Sequence, residues 1–147
     1  MNSPKRYFEI PGKPMAKQRP KFARQGAFVR TYTPQQTVNY ENFVRDRYLS
    51  VYSGHELMRG NIAAYIEADF PIPKSTSKKR TGLMLHKYIR PLIKPDCDNI
   101  AKIVLDSLNG IAFEDDKQVT LLHVEKVYSE TPCVKVALQE KNEGGLL

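Results

Sequence analysis

Lys94-Pro95-Asp96-Cys97-Asp98-Asn99-Ile100-Ala101-Lys102-Ile103-Val104-Leu105-Asp106-Ser107-Leu108-Asn109-Gly110 is the stretch whose periodicity decides the fold. At about 100° per residue, Ile100, Ile103, Val104, Ser107 and Leu108 gather on one broad face, and Asp98, Lys102, Asp106 and Asn109 fall in a sector of about 80° opposite it. That spacing predicts an amphipathic helix. Asp98 or Asn99 caps its start, and Asn109-Gly110, residue types that tolerate left-handed backbone, close it near Leu108. One side of the helix belongs to a core and the other carries acids and a lysine to the surface.

Working outward, Ile111-Ala112-Phe113 leads to the acidic turn Glu114-Asp115-Asp116. Val119–Tyr128 and Cys133–Leu138 then read as a closing pair of antiparallel strands. Upstream, Ile62, Ala64, Ile66, Ala68 and Phe70 alternate on one face of a strand over 61–70. Tyr7–Ile10 and Ala27–Tyr32 read as two further strands. Thr33-Pro34 offers a helix start, with Thr as N-cap and Pro at the first helical position, and the helix runs to about Tyr52, presenting Val38, Phe43, Val44, Tyr48 and Leu49. The predicted fold class is α+β: a small mixed, mostly antiparallel sheet with two principal helices, forming one domain over 1–147.

A chain of 147 residues with 41% hydrophobic content is long enough to bury a core without staples. Its two cysteines, Cys97 and Cys133, form no Cys-x-x-Cys pair, and with three scattered histidines they argue against a structural zinc site. No apolar run approaches a membrane span and no apolar segment follows the basic start, which predicts a cytoplasmic protein with no membrane partner.

The formal charge of +7 hides an asymmetry: residues 1–94 carry 18 basic and 6 acidic side chains, residues 95–147 carry 5 and 10. Two acid-free basic segments lie in the first part. One, over 13–30, holds Lys13, Lys17, Arg19, Lys21 and Arg24 and is expected to be an extended, solvated loop. The other, over 71–94, holds Lys74, Lys78, Lys79, Arg80, Lys87 and Arg90 and also reads as a loop. Two such segments in one small domain point to a shared polyanion, and the acidic segment 94–119 points to a cation site beside it.

In extended backbone Asp96 and Asp98 project to the same side while Cys97 points away, so two carboxylates converge on one cation. Crowded carboxylates repel at neutral pH, and a divalent ion relieves the repulsion. Magnesium suits hard oxygen ligands and accepts one or two carboxylates plus water and phosphate oxygens. Lys102, one turn after Asp98, has two readings: stabilising charge on a phosphate under attack, or a surface ion pair with Asp98 or Asp106. Asp115-Asp116 is equally open, as a turn decoration or as a second acid pair brought back to the first. A calcium loop is excluded, since Ile100 and Ala101 stand where an oxygen ligand and a Gly are needed. There is no phosphate-binding Gly-rich loop, no Gly-x-Ser-x-Gly elbow and no nucleotide-binding framework around the Asp-x-Asp.

The run Lys94-Pro95-Asp96-x-Asp98-Asn99-Ile100-x-Lys102, then Asp106-Ser107-Leu108-Asn109-Gly110, then Asp115-Asp116-x-Gln118-Val119 resembles the signature of the RusA-type Holliday junction resolvases, small homodimeric endonucleases often borne by phages or prophages. The resemblance implies that Asp96, Asp98 and Asp116 are essential metal-binding acids, with Asp115 beside them, and that Lys102 is the catalytic lysine. Asp106, Asn109 and Gly110 match recurrent positions read as structural. It further implies a Mg²⁺-dependent homodimer, with Mn²⁺ as a substitute, that cuts four-way DNA junctions symmetrically in recombination and repair. A non-catalytic junction-binding protein, or a metal-dependent nuclease for other branched DNA, fits the same residues.

Overall fold

The computed structural model describes residues 5–141, so the ends of the 1–147 span lie outside the described residues. In chain order the elements are β1 (Lys5–Pro11), β2 (Lys21–Gln25), β3 (Phe28–Tyr32), α1 (Gln35–Tyr52), β4 (Asn61–Pro71), α2 (Lys78–Leu85), α3 (Cys97–Leu108), a 3₁₀ turn (Asp116–Gln118), β5 (Val119–Ser129) and β6 (Cys133–Lys141). The main sheet has strand order β1-β6-β4-β5, and β2 and β3 form a separate two-stranded sheet. The α+β class and the mixed, mostly antiparallel sheet agree with the sequence reading.

The closing pair does not. β5 and β6 are not neighbours: β4 lies between them, pairing antiparallel with β6 and parallel with β5, Ile66 opposite both Val136 and Val124. Strand character was legible in 119–138, but pairing is not a property of a single strand. β4 is the most apolar strand and is buried along its length, so the sheet gains most by sandwiching it between two partners.

One face of the sheet makes the core. Phe8, Ile10, Ile62, Ala64, Ile66, Ala68, Phe70, Val134, Val136 and Leu138 meet α1 and α3 there. α3 buries Ile100, Ile103, Val104, Ser107 and Leu108, the predicted face, and ends at Asn109-Gly110, where Gly110 takes a φ of +74°. The helix begins earlier than expected, with Asp96 as N-cap. α1 buries Thr37, Tyr40, Val44 and Tyr48, while Phe43 and Leu49, expected inside, are half exposed. The buried stripe runs at steps of three and four from Thr37, which the polar Thr concealed. The α1 N-cap is Pro34 and not Thr33, and its carbonyl accepts from the Thr37 and Val38 amides.

Both basic segments are more ordered than loops. In 13–30, Pro14 is buried, Met15 packs on the core, and the Gln18 amide donates to Thr37 Oγ1 at 3.1 Å, before the chain forms β2. In 71–94, Ser77 caps α2 by accepting from the Arg80 amide, and Met84 is buried. A third helix thus arises from a cap and one apolar anchor inside a cationic run.

The sheet face away from the helices carries a charged cluster. Lys135 Nζ lies 3.4 Å from both Glu67 Oε2 and Asp69 Oδ2, and the Cys133 thiol reaches Asp69 Oδ2 at 3.6 Å. Asp69 is only 3% exposed and its Oδ1 has no partner among the described residues. Burial, then hydrogen bonding and charge from Glu67, push its carboxyl up to about 6, while burial first and then Asp69 push the Cys133 thiol up to about 11. Because folding raises the Asp69 pKa above its unfolded value, the folded form holds the proton more tightly. Stability contributed by this group is present at low pH and falls as pH rises towards 6. Asp69→Asn is therefore expected to be about 1–3 kcal/mol more stable than the parent at pH 8, with the gap closing by pH 4. Thermal melts of both proteins across that range check it. A gap that widens on acidification overturns the account.

Candidate active site

The surface face of α3 presents Asp98, Lys102 and Asp106 one turn apart, and the 3₁₀ turn with Asp116 packs against this helix. Asp96 precedes them as the N-cap in extended backbone (φ −80°, ψ 166°), and its side chain makes no capping bond, which leaves the carboxylate at the surface. The Asp96 and Asp98 pair is not extended as expected, because Asp98 already lies in the first helical turn. Cys97 does point away, towards the Val124 carbonyl. The preceding Lys94–Pro95 peptide is cis.

The acidic turn is held by one side chain. Gln118 Oε1 accepts from the Glu114 and Asp115 amides at 3.0 and 3.1 Å, and its Nε2 donates to the Met58 and Gly60 carbonyls at 3.1 Å each. Asp115 Oδ1 in turn accepts from the Lys117 amide at 2.8 Å, which completes a capping box. Gln118 thus ties the acidic turn to the chain entering β4. Gln118→Ala is expected to lower stability by about 1–2 kcal/mol, read as a drop in melting temperature. An unchanged melting temperature would show that the turn is positioned by other contacts.

Asp116 lies close to Asp106 and Asp115. Its carboxyl is held above the usual range by partial burial first, then by hydrogen bonding and repulsion from Asp106, then by Asp115. Asp106, read from the sequence as a structural surface acid, lies beside Asp116 in the fold. It also takes an ion pair from Lys17 at 3.0 Å, with Glu41 3.8 Å from the same ammonium. The signal for Asp106 was its position eight residues after Asp98, in the same narrow helical sector. Lys102 forms no ion pair among the described residues, so Asp106 spends its charge on Lys17 and the surface-pair reading of Lys102 finds no partner.

Grooves border this surface on the side of the 13–20 segment. One of ≈ 520 Å³ lies between Pro14–Arg19 and Lys94–Asn99, and one of ≈ 370 Å³ is lined by Lys17, Gln18, Arg19, Pro20, Asn99 and Lys102. Lys13, Arg19, Lys21, Arg24, Lys74, Lys78, Lys79, Arg80 and Lys87 are exposed. Lys17 and Arg90 are engaged, Arg90 by Glu125 Oε2 and the Lys126 carbonyl, both at 3.1 Å. Lys78, Lys79 and Arg80 occupy the first turn of α2, the end where the helix dipole disfavours cations by a few tenths of a kcal/mol each. A negative partner reverses that penalty.

Among the described residues, no three acidic, His or Cys side chains stand close enough together to enclose a metal ion as they are placed. The donor chemistry nevertheless fits a hard divalent cation. The available groups are all carboxylates, Asp96 and Asp98 are exposed and free of capping bonds, and Asp116 sits among like charges that a cation relieves.

A model of the family described as "Endodeoxyribonuclease RusA" matches residues 11–139. The chain is also 33% identical over 135 residues to an uncharacterised protein of Bacillus subtilis (strain 168), YqaN, covering 90% of this chain and 94% of that one. No helix among the described residues is long and apolar enough to cross a membrane. With the signature residues on α3 and the acidic turn packed together and the match running through nearly the whole fold, the chain belongs to the RusA endodeoxyribonuclease family, hydrolases that cut DNA.

Proposed function

We propose that this protein is a divalent-metal-dependent endonuclease that resolves four-way DNA junctions by paired phosphodiester hydrolysis, and that it works as a homodimer. The observation that carries the reading is the meeting of the α3 face with the acidic turn, beside grooves edged by Arg19 and Lys102. Mg²⁺, or Mn²⁺ in its place, bound by Asp96, Asp98 and Asp116 with Asp115 beside them, would supply charge neutralisation at the scissile phosphate and activation of water. Lys102 places an unpaired ammonium beside the groove, where it stabilises negative charge developing on the phosphate under attack. Lys17 holds Asp106 and so limits the repulsion that Asp106 exerts on Asp116 and on the incoming backbone. The exposed cations of 13–30 and 71–94 grip phosphates without reading sequence, which gives a steep salt dependence. A junction offers two symmetry-related strands, and a two-fold dimer brings one site to each.

The test is a synthetic four-way junction labelled on each arm, with duplex and flap DNA of the same sequence as controls. Symmetric nicks in the junction that need Mg²⁺ or Mn²⁺ and stop with chelator support the proposal. Equal cutting of duplex or flaps means a nuclease of another specificity, and binding without cutting in either metal means a binding module. Light scattering at micromolar concentration tests the dimer, and a monomer there overturns that part.

A further inference from the structure

The β2–β3 hairpin stands apart from the main sheet, and its apolar side chains are uncovered. Phe22 is 72% exposed, Phe28 79% and Val29 64%, and Tyr32 is also exposed. A two-stranded hairpin without a covered face is marginally stable by itself, and aromatic surface of this kind is found where a partner covers it. The partner's charge is legible: from Pro11 to Tyr40 there is no acid, while Arg19, Lys21, Arg24 and Arg30 are all present. The pairing of Lys21 with Tyr32, Ala23 with Arg30 and Gln25 with Phe28 puts Lys21, Phe28, Arg30 and Tyr32 on one face. Phe22, Arg24 and Val29 share the other. Each face therefore combines an aromatic ring with at least one cation, which suits a ribbon flanked by polyanion on both sides and not one lying on a flat surface. The hairpin springs from Pro20, at the rim of the groove that contains Lys102, and each strand of five residues reaches about 17 Å.

We propose that the 21–32 hairpin is an aromatic wedge that enters the branch point of a DNA junction, stacks Phe22 and Phe28 on bases there, and creates the preference for branched over duplex DNA. This rests on the junction reading above and adds to it the part that senses the branch. Phosphate contacts alone do not discriminate, because duplex arms and junction arms carry the same backbone charge. Unpaired or weakly stacked bases exist only at the branch, and stacking on aromatic rings is the sequence-tolerant way to hold them.

The experiment uses the full chain carrying Asp98→Asn, so that binding is measured without cutting, and a four-way junction with 2-aminopurine at the crossover. Binding of this parent is expected to raise the fluorescence as the base unstacks. Adding Phe22→Ala and Phe28→Ala is expected to remove the rise and to weaken junction binding by at least about tenfold for each stacked base lost, about 10²-fold for the pair. Duplex affinity should hold within about twofold, while Phe22→Tyr and Phe28→Tyr retain the signal. Both rings are exposed, so an unchanged melting temperature accompanies the loss. A double alanine variant that opens the crossover like its parent overturns the wedge, and so does one that instead turns a dimer into a monomer in light scattering, which assigns the rings to a second copy. A parent that binds junction no better than duplex overturns the junction reading itself, an outcome visible before the hairpin is altered.

Discussion

Asp98→Asn and, separately, Asp116→Asn are expected to cut a four-way junction at least about 10³-fold more slowly than the parent while binding it as well or better. The reasoning is electrostatic. On the proposed function, each substitution keeps the side chain's shape but removes a charge that would hold the cation, and such a cation is worth several kcal/mol to the reaction. It also removes a negative charge that would face the DNA backbone in that reading, so binding has nothing to lose. Neither change touches the core: Asp98 is exposed on α3, and at Asp116 the amide relieves the crowding by Asp106 and Asp115. Melting temperatures should hold or rise for Asp116→Asn. The measurement is single-turnover cleavage of a labelled junction in Mg²⁺ and in Mn²⁺, beside binding in chelator. Parental rates from either variant would mean that the carboxylates have been assigned to the wrong task. Chelation of the unmodified protein should give the same split, with cutting lost and binding kept.

Lys102→Met is expected to lower the cleavage rate about 10²- to 10³-fold at saturating junction and to change the affinity little. The ammonium stands one turn from both Asp98 and Asp106 along α3, yet neither acid pairs with it among the described residues, since Asp106 is taken by Lys17 at 3.0 Å. A cation kept free beside a groove costs little in the folded protein and acts when phosphate charge develops next to it. Lys102→Met keeps the aliphatic stem and removes only the charge, so stability should stay within about 0.5 kcal/mol. A loss confined to affinity, reversed at low salt, would reassign Lys102 to the general grip on the backbone.

The α3 helix was legible because its pattern is redundant. Four apolar positions with Ser107 among them, and Asn-Gly after them, all agree, and the buried face is the one the spacing predicts. The α1 stripe was half legible, since Val44 and Tyr48 are buried but Thr37 completes the face that Phe43 and Leu49 were expected to share. The α2 helix was hidden by charge, because its cationic composition outweighed the Ser77 cap and the single anchor Met84. Gln118 carried no role that spacing reveals, because its partners Met58 and Gly60 lie about sixty residues away in sequence.

What the sequence by itself determined is local: that α1, α3 and the main strands exist and about where they lie, the apolar face of α3, which carboxylates and lysine share its surface, and the family to which their spacing belongs. These follow from periodicity and capping, which act over a few residues. What only the tertiary structure decided is every long-range partnership. β4 takes its place between β5 and β6, Gln118 clamps the acidic turn, and Lys17 reaches 89 residues along the chain to hold Asp106 beside Asp116. The physical reason is that such pairings are selected by packing and by the sharing of charge in space, and no window of sequence contains both partners.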